Sequence, residues 1–222
     1  MEFAVHGHVR VVLPHVEDEL RQVPVFPSSG KLTDFEFTGR EVRQLASADS
    51  RLRGGRMIGV VAERVAFDHV RLDSMIIENT AWMSADLVDC ALNRVVFRHC
   101  KILGARITDT KFSDVVFEDC RIEYADLDSI QRAGPIVFTR SVFNEVTFGR
   151  CELTDCVMTD CELRSVRFEG GEYADLDVRG TDLTGVRGAA NLSGVLVTPD
   201  QRHQLAEAMV NELDLRYPGD EQ

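Results

Sequence analysis

The sequence has few of the features that would give it a membrane, a cofactor or a known catalytic motif. No apolar run approaches the ~20 residues that span a bilayer. The first residues also lack the basic and then apolar order of a secretory signal, so the expectation is a soluble, cytoplasmic protein. No G-x-S-x-G elbow, phosphate loop, dinucleotide fingerprint or H-E-x-x-H pair occurs, and no cofactor or metal is expected. Basic charge is in deficit: 25 Lys and Arg stand against 37 Asp and Glu, for a net charge of −12. Such a balance argues against direct binding to nucleic-acid phosphates.

Over roughly residues 50–190, helical and strand periodicity are missing as well. In their place every fifth residue from Leu52 to Leu127 is uncharged: Leu52, Met57, Ala62, Phe67, Leu72, Ile77, Trp82, Leu87 and onward in step. Two positions before each central residue runs a series of small or medium side chains, including Val65, Val70, Met75, Thr80, Ala85, Cys90 and Val95. A period of five fits neither 3.6 nor 2, so the unit is a repeat far shorter than a domain. After an interruption at Ser129–Pro135 the pattern resumes one residue out of phase, through Phe138, Phe143, Phe148, Leu153, Met158 and on to Leu183.

Blocks such as Ala85-Asp86-Leu87, Ala125-Asp126-Leu127 and Thr181-Asp182-Leu183 resemble the A(D/N)LXX consensus of pentapeptide-repeat proteins, and the resemblance covers roughly residues 50–190. It implies an all-β fold, a right-handed quadrilateral parallel β-helix with one pentapeptide per face and four per coil. The central and small residues would point inward and the other three outward. A pentapeptide cannot bury its own apolar residues, so coils must stack at about the 4.8 Å strand spacing, and seven coils give a rod on the order of 34 Å.

Such a rod needs caps on its open edges. Residues 1–49 are assigned to an N-terminal strand and helix cap, with strand character over Phe3–Leu13. Thr38 to Glu41 reads as a capping box that opens a short helix through about Ala46. Residues 50–190 form the β-helix, with a one-residue bulge near 129–135. Residues 191–222 form a C-terminal helix and tail, the helix starting at Pro199 and running to about Asn211 with Leu205, Met209 and Leu213 on one face.

All six cysteines, Cys90, Cys100, Cys120, Cys151, Cys156 and Cys161, fall on the inward small-residue series, where a thiol serves as a compact hydrophobe. The repeat therefore explains the Cys151-x4-Cys156-x4-Cys161 spacing without a metal. His6 and His8 lack a third ligand at defined spacing.

What remains is surface. Residues 61–190 hold 23 acids and 15 bases, and Asp86, Asp89, Asp109 and Asp126 form a candidate acidic interaction face. Ile76, Val96 and Val116 recur one coil apart at an outward position, and the bulge carries Val137 and Val157 into the same column, a candidate aliphatic stripe for a partner. The combination resembles the pentapeptide-repeat proteins that protect DNA gyrase and topoisomerase IV in quinolone resistance and antibiotic self-resistance. That resemblance implies a non-enzymatic, DNA-mimicking homodimer joined through Leu205, Met209 and Leu213. Two other readings stay open: a scaffold or regulatory adaptor using the aliphatic stripe, and an enzyme with a site near His6, His8 or His15.

Overall fold

The computed structural model describes residues 2–213. Its body is a single parallel stack of short strands in which each residue lies over the one twenty positions earlier: Ala85 pairs with Ala105 and Val65, and Phe97 with Phe117 and Ile77. Twenty residues make one turn of a four-sided β-solenoid. Face II denotes here the side built on Met57, Ile77, Phe97, Phe117, Phe138 and Met158. Face IV denotes the side built on Phe67, Leu87, Ile107, Leu127, Phe148 and Phe168.

The central series of the sequence is buried from Leu52 to Leu183 apart from Arg132, and so is the small series apart from Gly171. Down face II the phenyl rings stack, with Phe97 and Phe117 at 4.6 Å and Phe117 and Phe138 at 5.1 Å between centroids. The residue two after most central positions turns the corner in the left-handed region: φ is 50° at Asp89, 51° at Asp109 and 54° at Asp114. Asp and Asn tolerate this region better than most residues with a side chain. Acids therefore gather at the corners for a backbone reason.

At the interruption Phe112 still pairs with Arg132, but Val115 pairs with Ile136. One extra residue lies between them. The amides of Ala133 and Gly134 both donate to the Phe112 carbonyl, at 2.8 and 3.3 Å, which marks the bulge. The aliphatic column crosses it in register, since Val116 pairs with Val137 and Val137 with Val157.

The N-terminal end differs from the expected cap over residues 1–49 in one element and in where the parallel stack begins. The segment Glu41–Ile58 is a strand, with no helix at Thr38–Ala46, and parallel pairing reaches back through Phe37 opposite Met57 and Leu32 opposite Leu52 to Arg21 opposite Phe35. Neighbouring coil backbone supplies bonding partners across the whole segment, outweighing a local cap worth about 1 kcal/mol. Phe26 closes the first coils: it stacks on Phe67 at 5.8 Å above the small central residue Ser47, whose hydroxyl donates to the Pro27 carbonyl.

Outside the stack, among the described residues, lie a hairpin, β1 (Phe3–His6) and β2 (Val9–Val12), paired antiparallel in its own sheet, and the α-helix α1 (Gln201–Asn211). Helix α1 seals the far end through polar side chains. Gln201 is buried and its Nε2 donates to the carbonyls of Val178 and Thr181, at 2.7 and 2.8 Å. Gln204 accepts from the Leu183 amide at 3.1 Å, and Glu212 from the amides of Gly188 and Ala189. These are backbone groups that a further coil would otherwise have paired.

Candidate functional site

The predicted acidic face separates into two columns. Asp86 and Asp126 share an outward column of face IV, but the coil between them holds Arg106 in register with both. Arg64 also approaches Asp86, at 3.5 Å. Asp89 and Asp109 stand at the corner after that face, where His69 lies 3.8 Å from Asp89. The same alternation recurs on face II, where Glu78, Arg98 and Glu118 occupy consecutive coils. Like charges on adjacent strands repel at the strand spacing, so a base between two acids relieves each column. Acids forty residues apart are thus two coils apart, and the spacing that suggested a continuous row was an alternating one.

The best-knit charges lie on face II. Arg98 Nε donates to Glu118 Oε2 at 2.8 Å, while Arg140 bridges Glu118 at 2.5 Å and Asp119 at 3.0 Å. These bonds, from Arg98 first and then Arg140, hold the Glu118 carboxyl below its usual range, and Arg140 does the same for Asp119.

The predicted aliphatic stripe is present but already covered. Val96, Val116, Val137 and Val157 are buried, Ile76 is half-buried, and the four valines cluster with Val9 and Val11 of β2, with Leu13 packed alongside. The hairpin lies across face II. Its turn at Gly7 sits over Asp177, the residue that follows Val157 in the same column. At the other end of β2 the Val12 amide donates to Asp114 Oδ1 at 2.8 Å. Asp177 is itself buried and takes both Nε and Nη2 of Arg179, at 2.8 and 2.7 Å, which hold its carboxyl low. Burial holds His6 below the ordinary imidazole range.

Sequence reading saw strand character here but missed the docking. The signal was available in the alternation Val9, Val11, Leu13 after a glycine, beside a stripe that needed a cover.

The six thiols are free and buried. Burial raises Cys90 and Cys156 to about 11 and Cys151 and Cys161 to about 12. Each Sγ donates to the carbonyl two residues earlier, for example Cys151 to Gly149 at 3.4 Å. The adjacent Cys100 and Cys120 share a side-chain hydrogen bond that, with burial, pushes the Cys120 thiol far above its ordinary range and lowers Cys100. No group of three His, Cys, Asp or Glu side chains is placed to hold a metal ion among the described residues.

The histidines do not converge. His6 and His8 flank the hairpin turn, whereas His15 lines an open cavity of about 560 Å³ between the connector and the first coils, with Arg53, Arg94 and Asp34.

The three helix residues expected at a dimer contact part company. Leu205 packs on the solenoid core, whereas Met209 and Leu213 are 47% and 59% exposed. The rest of the expected tail, 214–222, lies outside the described residues.

No family model and no curated protein matches the chain. Two solved structures of trypsin-treated variants of QnrB1, a plasmid-mediated fluoroquinolone resistance protein, are similar to it. One is 13% identical and covers 82% of this chain and 97% of its own, with a TM-score of 0.54. The other is 14% identical and covers 77% and 97%, also with a TM-score of 0.54. At these identities the likeness establishes the fold, a pentapeptide-repeat β-solenoid.

Proposed function

From this solenoid architecture we propose that the chain is a non-enzymatic protein-interaction module, a scaffold that meets a protein partner through the charge pattern of its outer columns. The alternation of sign along the coils supports this reading, in Asp86, Arg106, Asp126 and again in Glu78, Arg98, Glu118. A mimic of duplex DNA presents one sign of charge at short intervals along its length. An alternating ladder instead favours one complementary partner surface, since charge complementarity governs specificity and association rate more than raw affinity. The exposed Met209 and Leu213 then serve a second copy at the helical end.

One observation favours a second reading, engagement of DNA gyrase or topoisomerase IV by charge mimicry. It is the fold shared with QnrB1 combined with the net charge of −12. A supercoiling assay with and without a quinolone separates the two. The scaffold reading expects no effect of the chain on either enzyme, and expects the variant with Asp86→Lys, Asp109→Lys and Asp126→Lys to lose the partner that the wild type retains from native lysate. Protection that fades as salt rises, and is lost in the charge-reversed variant, would replace it with mimicry.

A further inference from the structure

The valine column under the hairpin is built like a binding groove. Its floor, Val96, Val116, Val137 and Val157, forms a cluster with the hairpin that is separate from the solenoid core. Four rungs at about 4.8 Å span about 14 Å, and three alternate residues of an extended strand span nearly the same distance at about 3.4 Å per residue. A strand lying across the rungs can therefore set successive inward side chains into the column, as Val9, Val11 and Leu13 do.

Polar anchors stand at both ends of this floor. Asp114 accepts a main-chain amide, a contact indifferent to side chain. At the Asp177 end a glycine fits best, since φ is +55° at Gly7 and a Cβ there would lie 2.8 Å from Asp177 Oδ2.

The resident is loosely tied. Its sheet shares no strand with the solenoid. The segment from Leu13 to Leu20 that joins it to the first coil contains neither helix nor strand. Its outer strand leaves Phe3 and Val5 at 48% and 65% exposure. Lifting the hairpin breaks no rung, so it can open while the coils stay paired.

We propose that this column is a strand-docking groove for a partner protein, and that the N-terminal hairpin is its built-in competitor. The partner segment is extended, carries β-branched or other aliphatic residues at alternate positions, and places a glycine turn over Asp177. The hairpin's own occupancy lowers the partner's apparent affinity by the fraction of molecules in which the groove is open. The inference does not depend on the charge-pattern reading, because the two surfaces use different residues.

The probe is a fluorescent synthetic peptide with the sequence of residues 2–14, added to the full-length chain. In the double variant Val9→Asp, Val11→Asp the hairpin should leave the groove while the solenoid keeps its circular dichroism and cooperative melt. This variant should bind the peptide at least about tenfold more tightly than the wild type. Adding Val116→Asp should abolish that binding, and a peptide carrying Gly7→Val should not bind.

In the wild type, the Val12 amide should exchange with solvent at least about a hundredfold faster than amides of the central coils. Exchange of Val12 only with global unfolding, loss of the solenoid in the double variant, or peptide binding no tighter than to the wild type would each overturn the proposal. A double variant that dimerises, in a form the peptide does not dissolve, would assign the groove to a second copy and overturn the partner reading.

Discussion

A phenyl ring in the middle of face II touches rings above and below, so each position belongs to a column rather than to a local cluster. Phe117→Ala removes the ring between Phe97 and Phe138 and should cost about 3–5 kcal/mol in denaturant unfolding, as for other buried aromatics. Asp109→Ala leaves the packing untouched but puts alanine at φ 51°, so a smaller loss of about 1 kcal/mol is expected. Asp109→Gly at the same corner should be nearly neutral. Equal losses for the ring and corner variants would mean that the inward register is wrong.

The thiols follow from the same geometry. With burial pushing Cys151 and Cys161 to about 12, neither forms a thiolate near neutrality. A thiol reagent should find six groups after denaturation without reductant and react with almost none in the native chain.

At the scale of elements, the hairpin and the bulge each carry a prediction. His6 is held below its usual value and Asp177 and Glu118 below theirs, so in each case folding favours the deprotonated form. Their contribution is present above the unfolded values and lost as pH falls through the folded ones. For His6 the loss begins near pH ~6.5, and for the carboxylates near ~4. The protection of the Val12 amide, its exchange rate taken relative to the intrinsic rate at each pH, should therefore fall on mild acidification before that of the coil amides does, and a parallel loss of protection in coils and hairpin would contradict this.

The bulge makes a sharper distinction. Deleting Pro135 places Gly134 at the corner position and returns Val115 and Ile136 to a twenty-residue spacing, so the rod should fold with its melting temperature maintained or raised. Deleting Ala133 leaves the same length but puts Pro135 at the corner, where φ near +50° is closed to proline. That variant should lose about 3 kcal/mol or more. Thermal melts of the two deletions test the register directly.

For the whole molecule, stability is a sum over rungs and the ends decide association. Gln201, Gln204 and Glu212 hold the backbone groups of the last coils. Gln201→Leu retains bulk and helix propensity but strands the carbonyls of Val178 and Thr181. It should destabilise the chain by about 1–3 kcal/mol, with a rise in light scattering as the open end pairs with other chains. An unchanged melt and clear solution would show that the helix caps through its apolar contacts alone.

Much of this fold is local information repeated. One uncharged residue in five, with a small residue two before it, marked the repeat and its phase across the bulge. The resemblance to pentapeptide-repeat proteins carried by that pattern implied the four-sided turn and the inward series, and with them the burial of all six cysteines and the continuation of the valine column, because in-register stacking leaves each residue only one neighbour above and one below. The start of the helix near Pro199 was legible in the same way.

Only the tertiary structure decided what lies between columns. The Thr38–Glu41 box looks like a helix start, yet it belongs to a rung because pairing with the adjacent coil exceeds the energy of a cap. Asp86 and Asp126 read as a row, yet Arg106 stands between them, since the charge that matters to a side chain is twenty residues away. The valine stripe read as open surface is closed by Val9 and Val11, more than eighty residues earlier than the first valine they cover, and a contact at that separation leaves no period in the sequence.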